Sequence, residues 1–487
     1  MEQVKRLITK REIGLVLGIL VAAVIWLIPI PAAALSTGGH ITLALTLMTV
    51  VWWAFQIAQP GYTSGVFLAL LVILKVIPGV AATATSKAVP AAVATAAVVF
   101  KSWTGTTMWL VIGAYLIATA VKTSGLGERI AYNYMLRFVK SYRSIIIGIF
   151  VLTFGLSLLI PHPWPRAFLI MSVMAVVISS SKIPRVDAIK IGLTVFAASV
   201  PVSLIFLTGD SVINPLAVAA SGVELSWVGW FIQMGIPAIV ASIITCILIL
   251  VLFKPSQEVN INKDEIRAKI AGLGKLSGIE IRTIVWLVIA IGLWMTNSVH
   301  GIDIGWVTLI IAMLMSMPII GNILKPKDWA QVPMQVLIFL TAAIAIGTVG
   351  GATGMNAWIA HTLLPSTAPA NLFLFAAVVT VIAIVIHMLL GSVIAVMGVA
   401  VPAILVFSQA MGLNPLVPTL LVYTAIASHY LLPFQHLNML VGAAEDTGGY
   451  TQKETLRLGL PLTIGVFIVT MGVEIPWWTL TGFLHKG

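Results

Sequence analysis

The chain has 487 residues, of which 60% are hydrophobic and only 9% are charged, with a mean hydropathy of +1.08. Soluble domains carry about 25% charged residues, so this composition excludes a water-soluble globular protein and predicts a multi-pass membrane protein. The net charge of +11 comes from basic residues in short connections between apolar runs, which reflects membrane topology and predicts no nucleic-acid partner. The single cysteine, Cys246, excludes disulfide frameworks, zinc fingers and iron–sulfur clusters.

The N-terminus places four basic residues, Lys5, Arg6, Lys10 and Arg11, before a first apolar run at 13–30. A signal peptide starts in the same way, but no small-residue cleavage site followed by a soluble domain is seen. We therefore expect a retained first helix that begins in the cytoplasm.

Further apolar runs fall into two series. The first series covers 41–57, 66–77, 108–121, 144–160, 167–178 and 191–207; the second covers 227–253, 283–295, 306–317, 334–349, 372–390, 393–407, 416–427 and 460–473. Several runs are too short to cross a hydrocarbon core about 30 Å thick. These are predicted to be half-helices or re-entrant hairpins.

The longest polar stretch, 253–283, lies near the middle of the chain and is rich in Lys and Arg, which is typical of a cytoplasmic linker. The segments on its two sides resemble each other. The sequence from Trp109 aligns with that from Ile338 when Gly125 is placed on Gly354. Interrupted hydrophobic segments at matching places in two halves indicate the binding site of a transporter, although any two membrane segments also share a similar composition.

The first interruption reads Pro161-His162-Pro163-Trp164-Pro165-Arg166. Its prolines prevent a continuous helix, and a broken helix at membrane depth is tolerated only beside protein or a wet cavity. Arg166 is suited to holding a carboxylate through two parallel hydrogen bonds. Alternatively, Arg166 extends to a membrane interface and the prolines mark a loop.

Asp210 lies in the polar motif Thr208 to Asn214, between two apolar stretches. An ionisable group at membrane depth is expensive and suggests a function. With Gly209, it is our candidate for binding a coupling ion. Alternatively, Asp210 forms an ion pair with Arg166, or it lies in a loop outside the membrane.

The second half offers weaker signals. The interruption from His387 to Ser392 contains the flexible pair Gly391-Ser392, which either exposes the backbone to a ligand or only packs helices. A later polar cluster contains Gln435, His436 and Asn438, with His429 upstream. Its histidines either couple proton movement to transport or make ordinary hydrogen bonds between helices.

Other motifs are missing or less informative. No zinc-site spacing, G-x-S-x-G, Walker A or G-x-G-x-x-G sequence occurs, which disfavours an enzyme and an ATP-driven pump. Glu474 stands beside Trp477 and Trp478 and is expected near a membrane interface, so we do not include it among the site residues.

These residues resemble the divalent anion/sodium symporter family, the carriers of di- and tricarboxylates and sulfate. The segment from Pro161 to Ala167 resembles a hairpin-tip motif of the family, Pro-Ser-Asn-Thr-Ala-Arg-Ala, in its proline, arginine and last alanine. Sequences following Ser226 and Gly448 are similar to the mid-chain helix and the last connection and helix of the family.

The resemblance implies an all-α membrane protein with about 11 transmembrane helices, two re-entrant hairpins, interrupted helices and inverted repeats. It also implies a homodimer with elevator-type alternating access, whose hairpin tips and following loops bind Na⁺ and an anion. Replacing Ser-Asn-Thr by His162, Pro163 and Trp164 removes side-chain oxygens that Na⁺ prefers. Coupling to Na⁺, coupling to H⁺, anion exchange and facilitated diffusion therefore all remain open.

Together these observations predict a secondary transporter of organic anions in the cytoplasmic (inner) membrane, with an anion channel or anion-binding membrane protein as the alternative. We expect no enzyme activity and no cofactor, with Na⁺ as a candidate coupling ion, and a small anion and membrane lipid as partners. The expected parts are N-terminal scaffold helices at 1–107, a first repeat at 108–253, a linker at 254–282 and a second repeat at 283–487. The expected substrate-binding residues are His162, Trp164, Arg166, Asn214, Ser392, Gln435, His436 and Asn438.

Overall fold

A computed structural model describes residues 9–82, 87–363 and 368–485. Within these ranges the chain is helical, apart from loops and two isolated β-bridges. The N-terminal part forms α1 (Lys10–Leu27), α2 (Thr37–Ala54), α3 (Pro60–Ile73), α4 (Ala91–Val99) and α5 (Lys101–Thr104).

A first series of helices follows. It consists of α6 (Thr107–Ser124), α7 (Leu126–Phe138), α8 (Tyr142–Ser157), α9 (Pro163–Ser180), α10 (Arg185–Val202), α11 (Ile213–Ser221), α12 (Trp227–Trp230) and α13 (Ile236–Leu252). The π-helical turn Phe231–Gly235 joins α12 to α13. The middle of the chain forms α14 (Asp264–Leu273), α15 (Gly278–Met295), α16 (Asn297–His300) and α17 (Ile304–Ser316).

A second series repeats the order of the first. It consists of α18 (Met334–Thr353), α19 (Met355–Leu363), α20 (Leu372–Leu390), α21 (Val393–Ser408), α22 (Leu416–Ala427), α23 (Leu437–Gly442), α24 (Gln452–Val469) and α25 (Ile475–Leu480). The π-helical turn Thr470–Glu474 joins α24 to α25. Short 3₁₀ turns occur at Leu207–Asp210, Pro326–Gln331, Gln409–Met411 and Pro433–Gln435.

In the described part of the chain, eight helical segments are long and apolar enough to cross a membrane. Four shorter apolar helices, α3, α8, α17 and α22, have 12 to 16 residues. At 1.5 Å per residue these span at most about 24 Å, which is less than the hydrocarbon core. The predicted mixture of full spans and shorter pieces is therefore present.

The two series match element by element up to their last long helix, in which the π-helical turn follows a 4-residue helix in the first series and an 18-residue helix in the second. Gly125 at φ 78° separates α6 from α7, and Gly354 at φ 83° separates α18 from α19. Glycine is favoured here because the left-handed conformation strains other residues. Each series continues with a helical hairpin, a broken helix and a long helix with a π-helical turn.

Equivalent long helices of the two series run antiparallel. The indole Nε1 of Trp477 donates to the carbonyl of Ile232 (2.7 Å), so the end of α24–α25 lies beside the start of α12–α13. At the other end, the Arg457 guanidinium lies 5.3 Å from the ring centre of Phe253. Repeats related by an axis in the membrane plane place equivalent helices in this way, so the repeats are inverted.

The halves also interlock, because α3 packs on α18 while α17 packs on α6. The polar segment 253–283 in the middle of the chain packs against helices of the first series. Lys263 donates from Nζ to the carbonyl of Leu136 (2.7 Å), and α14 packs on α7 and α9.

Candidate functional site

The first hairpin tip lies between α8 and α9. His162 caps α9, since its Nδ1 accepts from the backbone N–H of Trp164 (3.2 Å). A neutral imidazole that accepts at Nδ1 carries its proton on Nε2, and this atom lies 2.8 Å from the hydroxyl of Tyr115. The tip is therefore held against α6, with Trp164 partly exposed.

Arg166, in the first turn of α9, is fully buried. Its Nη1 donates to the carbonyls of Ile160 and Gly209 (both 3.1 Å), and its Nη2 donates to Oγ of Ser203 (2.6 Å). Among the described residues no carboxylate forms an ion pair with it. The guanidinium is thus bound by neutral acceptors, and its Nε has no partner.

The first break separates α10 from α11 and contains the 3₁₀ turn Leu207–Asp210. Asp210 accepts at Oδ1 from the backbone N–H groups of Val212 (3.0 Å) and Ile213 (3.1 Å). The N–H of Ser211 donates to the carbonyl of Pro161 (3.2 Å), which ties the break to the hairpin tip. The predicted residues Gly209, Asp210 and Arg166 therefore lie together.

Asn214, at the start of α11, fixes the shape of this break. Its Nδ2 donates to the carbonyls of Ser203 (2.9 Å), Phe206 (2.9 Å) and Leu207 (3.3 Å). Its Oδ1 accepts from the hydroxyl of Tyr423 in the second half. A side chain saturated in this way fixes the conformation of the backbone between α10 and α11.

The second hairpin tip lies between α20 and α21. Gly391 has φ 60°, and the hydroxyl of Ser392 accepts from the N–H of Ala395 (3.4 Å) to cap α21. Ser392 is partly exposed, like Trp164. One turn earlier, the buried ring of His387 contacts the carbonyl of Gln435 through Nε2 (2.9 Å).

The second break lies between α22 and α23. Gln435 accepts at Oε1 from the N–H groups of Leu431 (2.6 Å) and Leu432 (2.8 Å), which closes a tight loop. His436 caps α23 by accepting at Nδ1 from the N–H of Asn438 (3.3 Å). Both residues are buried, and Asn438 is only 1% exposed.

The second break holds a cluster of buried polar atoms without hydrogen-bond partners. Twelve such atoms are found in the described part of the chain, and six belong to residues in or beside this break: both amide atoms of Asn438, Nδ1 of His387 and His429, and the hydroxyls of Ser428 and Tyr430. Native structures rarely leave such groups unpaired. The cluster therefore marks a place suited to a polar ligand.

The two halves meet at the breaks. Besides the bond from Tyr423 to Asn214, α10 packs on α23, and α11 packs on α21 and α22. The first break, which belongs to the first half of the chain, therefore packs against helices of the second half. Within the described residues, no hydrogen bond joins His162, Trp164 or Ser392 to the opposite half.

Comparison with known proteins agrees with this architecture. The family model described as the sodium:sulfate symporter transmembrane region matches residues 9–484. The chain belongs to this family. The expectation of a divalent anion/sodium symporter relative is confirmed, and the chain is a transporter-family protein and not an enzyme.

Named relatives of this symporter-family chain are distant. Dicarboxylate transporter 1, chloroplastic, of Spinacia oleracea is 25% identical, with 96% of this chain and 81% of the relative covered. The putative malate transporter YflS of Bacillus subtilis is 24% identical, covering 73% of this chain and 72% of the relative. The YdaH transporter of Alcanivorax borkumensis has a solved structure similar in fold, with a TM-score of 0.56 at 12% identity over 88% of this chain and 100% of the other.

One buried carboxylate of this symporter-family chain escaped the sequence analysis. Glu474 was expected near a membrane interface, but the structure buries it fully in the π-helical turn between α24 and α25. The neighbouring tryptophans misled the interpretation, because Trp477 and Trp478 donate to carbonyls of Ile232 and Gln233. The available signal was the apolar run directly before the glutamate.

Proposed function

We propose that the chain is a secondary carrier of small organic anions with two or three carboxylates, working by alternating access in the cytoplasmic membrane. The observation that carries the proposal is the buried charge of Arg166 without a carboxylate ion-pair partner among the described residues. A guanidinium keeps its proton in proteins, so the first hairpin tip holds a fixed positive charge inside the membrane protein, with the buried carboxyl group of Asp210 nearby.

Helix ends reinforce this positive charge. The N-termini of α9 and α21 lie at the two hairpin tips, and each carries the positive end of a helix dipole. Arg166 follows the tip of the first hairpin by a single turn. An anion held between the tips would meet these dipoles and the field of Arg166, and it would accept hydrogen bonds from the unpaired amide of Asn438.

Substrate class is inferred from the relatives and from the partly exposed residues of the site. The plant relatives are named dicarboxylate transporters and the Bacillus relative a putative malate transporter. Trp164 offers an apolar face beside the tip, against which the carbon chain of a dicarboxylate can pack. We propose that His162, Trp164, Ser392, Gln435, His436 and Asn438 shape the substrate site, and that Asn214 holds its backbone.

For the mechanism, we propose a homodimer in which the hairpins and broken helices move as a unit against the remaining helices. Sodium at Gly209 and Asp210 is disfavoured, because the carbonyl of Gly209 accepts from the Arg166 guanidinium and a cation beside it would be repelled. We therefore expect transport to persist when choline replaces Na⁺.

Arg166→Lys tests the proposal in proteoliposomes. Lysine keeps the charge but lacks the two planar N–H₂ groups that donate to Ile160, Gly209 and Ser203. We expect malate counterflow with an apparent affinity about tenfold or more weaker, a loss of about 1.4 kcal/mol. Arg137→Gln removes an exposed charge from α7 and serves as the control. Wild-type affinity in the Arg166 variant would contradict the assignment.

An anion channel is the second candidate, and the same vesicles separate it from a carrier. Carrier activity is saturable and shows counterflow, since each cycle moves a bound substrate. Channel activity would appear as conductance far above carrier turnover and without counterflow.

A further inference from the structure

Glu474 occupies an unusual position in the last long helix. It ends the π-helical turn Thr470–Glu474 and is fully buried. Its Oε1 accepts a hydrogen bond from Thr424 of α22, whereas its Oε2 has no partner within the described part of the chain. In the same turn, Thr470 accepts from Thr380 of α20 (3.2 Å). The carboxyl group therefore lies where three helical segments meet.

Among the residues that the structure describes, no cation forms an ion pair with this carboxyl group. The ion pairs among the described residues are Arg129–Glu280, Lys190–Asp187 and Arg267–Asp264. The titratable groups on its own helix and on the helices packed against the turn are Cys246 of α13, His387 of α20, Tyr423 of α22, and Lys453, Glu454 and Arg457 of α24. None of them hydrogen-bonds to Glu474. Arg457 is about 25 Å away along the helix at 1.5 Å per residue.

The chemistry of an isolated buried carboxyl favours its acid form. Burying a carboxylate without a cation costs far more than burying a neutral acid. The unpaired Oε2 is the natural position for the proton, because Oε1 already accepts from Thr424. π-helical turns are rare and are often found at functional sites.

We propose that Glu474 binds one proton and releases it in each transport cycle, an inference that rests on the carrier function proposed above. In the state described here, the side chain is a carboxylic acid. Thr424 lies in the last turn of α22, which ends at Ala427, where the second break begins. Anion binding at the break shifts the end of α22, admits water to Glu474, and lets the O–H bond break to give a carboxylate and a hydrated proton.

The proposal is tested with Glu474→Gln in proteoliposomes, with choline in place of Na⁺. Glutamine keeps the shape and the acceptor for Thr424 but does not titrate. We expect loss of malate-driven proton movement and a flat pH profile of the malate counterflow that remains. Glu445→Gln, an exposed glutamate near α23, is the matched control and should behave like wild type.

Thr424→Val supplies a second variant that keeps the titratable group. Threonine donates to Glu474, and loss of a donor makes a carboxylate less favourable. The pH profile should therefore move to higher pH. An unchanged profile in both Glu474→Gln and Thr424→Val would overturn the assignment.

Infrared spectroscopy of the purified full-length protein tests proton binding without transport. A protonated Glu474 adds a carboxylic-acid carbonyl band at neutral pH that Glu474→Gln lacks. A carboxylic-acid band of equal intensity in the two proteins would show that Glu474 is not protonated and overturn the proposal. In vesicles, wild-type protein without counterflow of any anion would refute the carrier function, whereas counterflow without pH dependence would refute only the role of Glu474.

Discussion

The hydroxyl of Tyr423 donates to Oδ1 of Asn214 and so links the second broken helix to the first. Tyr430, only seven positions later, is equally buried, but its hydroxyl has no hydrogen-bond partner among the described residues. The two tyrosines therefore offer a matched comparison of a paired and an unpaired buried hydroxyl.

Tyr423→Phe should destabilise the protein by about 1–3 kcal/mol, because it leaves a buried acceptor of Asn214 without its donor. Tyr430→Phe should leave stability unchanged or slightly raise it. Apparent unfolding temperatures of both variants in one detergent provide the measurement. Equal losses in the two variants would show that the bond to Asn214 contributes nothing.

At this scale, sequence reasoning found the residues that interrupt apolar runs. Arg166, Asp210 and Asn214 were recognised because a polar group in such a run is costly, and all three lie in one buried network. It did not find Ser203, which accepts a hydrogen bond from Arg166, because serine in a membrane helix is common. Whether the predicted residues bind substrate stays a prediction.

At the scale of elements, one ion pair fastens α7 to the middle segment. Arg129 donates from Nε to Glu280 (2.6 Å) and from its terminal nitrogens to the carbonyls of Leu273 (3.0 Å) and Gly274 (2.9 Å). The guanidinium thereby caps the end of α14 and holds the start of α15. By contrast, the pair of Arg267 with Asp264 is well exposed.

Arg129→Gln should lower stability by about 1–3 kcal/mol, since it leaves Glu280 and the carbonyls at the end of α14 without donors. Arg267→Gln should change it by less than about 0.5 kcal/mol, because exposed pairs contribute little. Thermal unfolding of the two variants should therefore separate them by several degrees. Similar shifts would mean that α14 is not held by Arg129.

The boundaries of the helices were largely predictable from the sequence. Proline and glycine end helices for local reasons, so the breaks before Pro163 and at Gly391 were predicted. Gly125 and Gly354, which also end helices, had served only to align the two halves. The π-helical turns were not predicted, because they depend on the packing of α24–α25 against α12–α13.

At the scale of the whole molecule, α12–α13 and α24–α25 run antiparallel, and we expect the two hairpin tips of these inverted repeats to face one substrate. Trp164 and Ser392 are the predicted substrate-binding residues that remain partly exposed at these tips. If both tips contact one substrate, a bound anion should shield both positions together.

Single cysteines at Trp164 and Ser392, in a Cys246→Ser background, should react with a thiol reagent more slowly when malate is present. Asn133→Cys, on the exposed side of α7, should react at the same rate with and without malate. Labelling rates measured in proteoliposomes give the comparison. Protection at one tip alone would restrict the binding site to that half of the chain.

The sequence by itself determined the membrane class, the two series of helices, the places where helices break and the family. These depend on composition and on local chemistry, because apolar runs enter the membrane and proline or glycine interrupts them. Only the tertiary structure decided the partners of Arg166, the burial of Glu474 and the contact of Trp477 with Ile232. Each of these joins segments distant in the chain, and their approach is fixed by packing that no local pattern encodes.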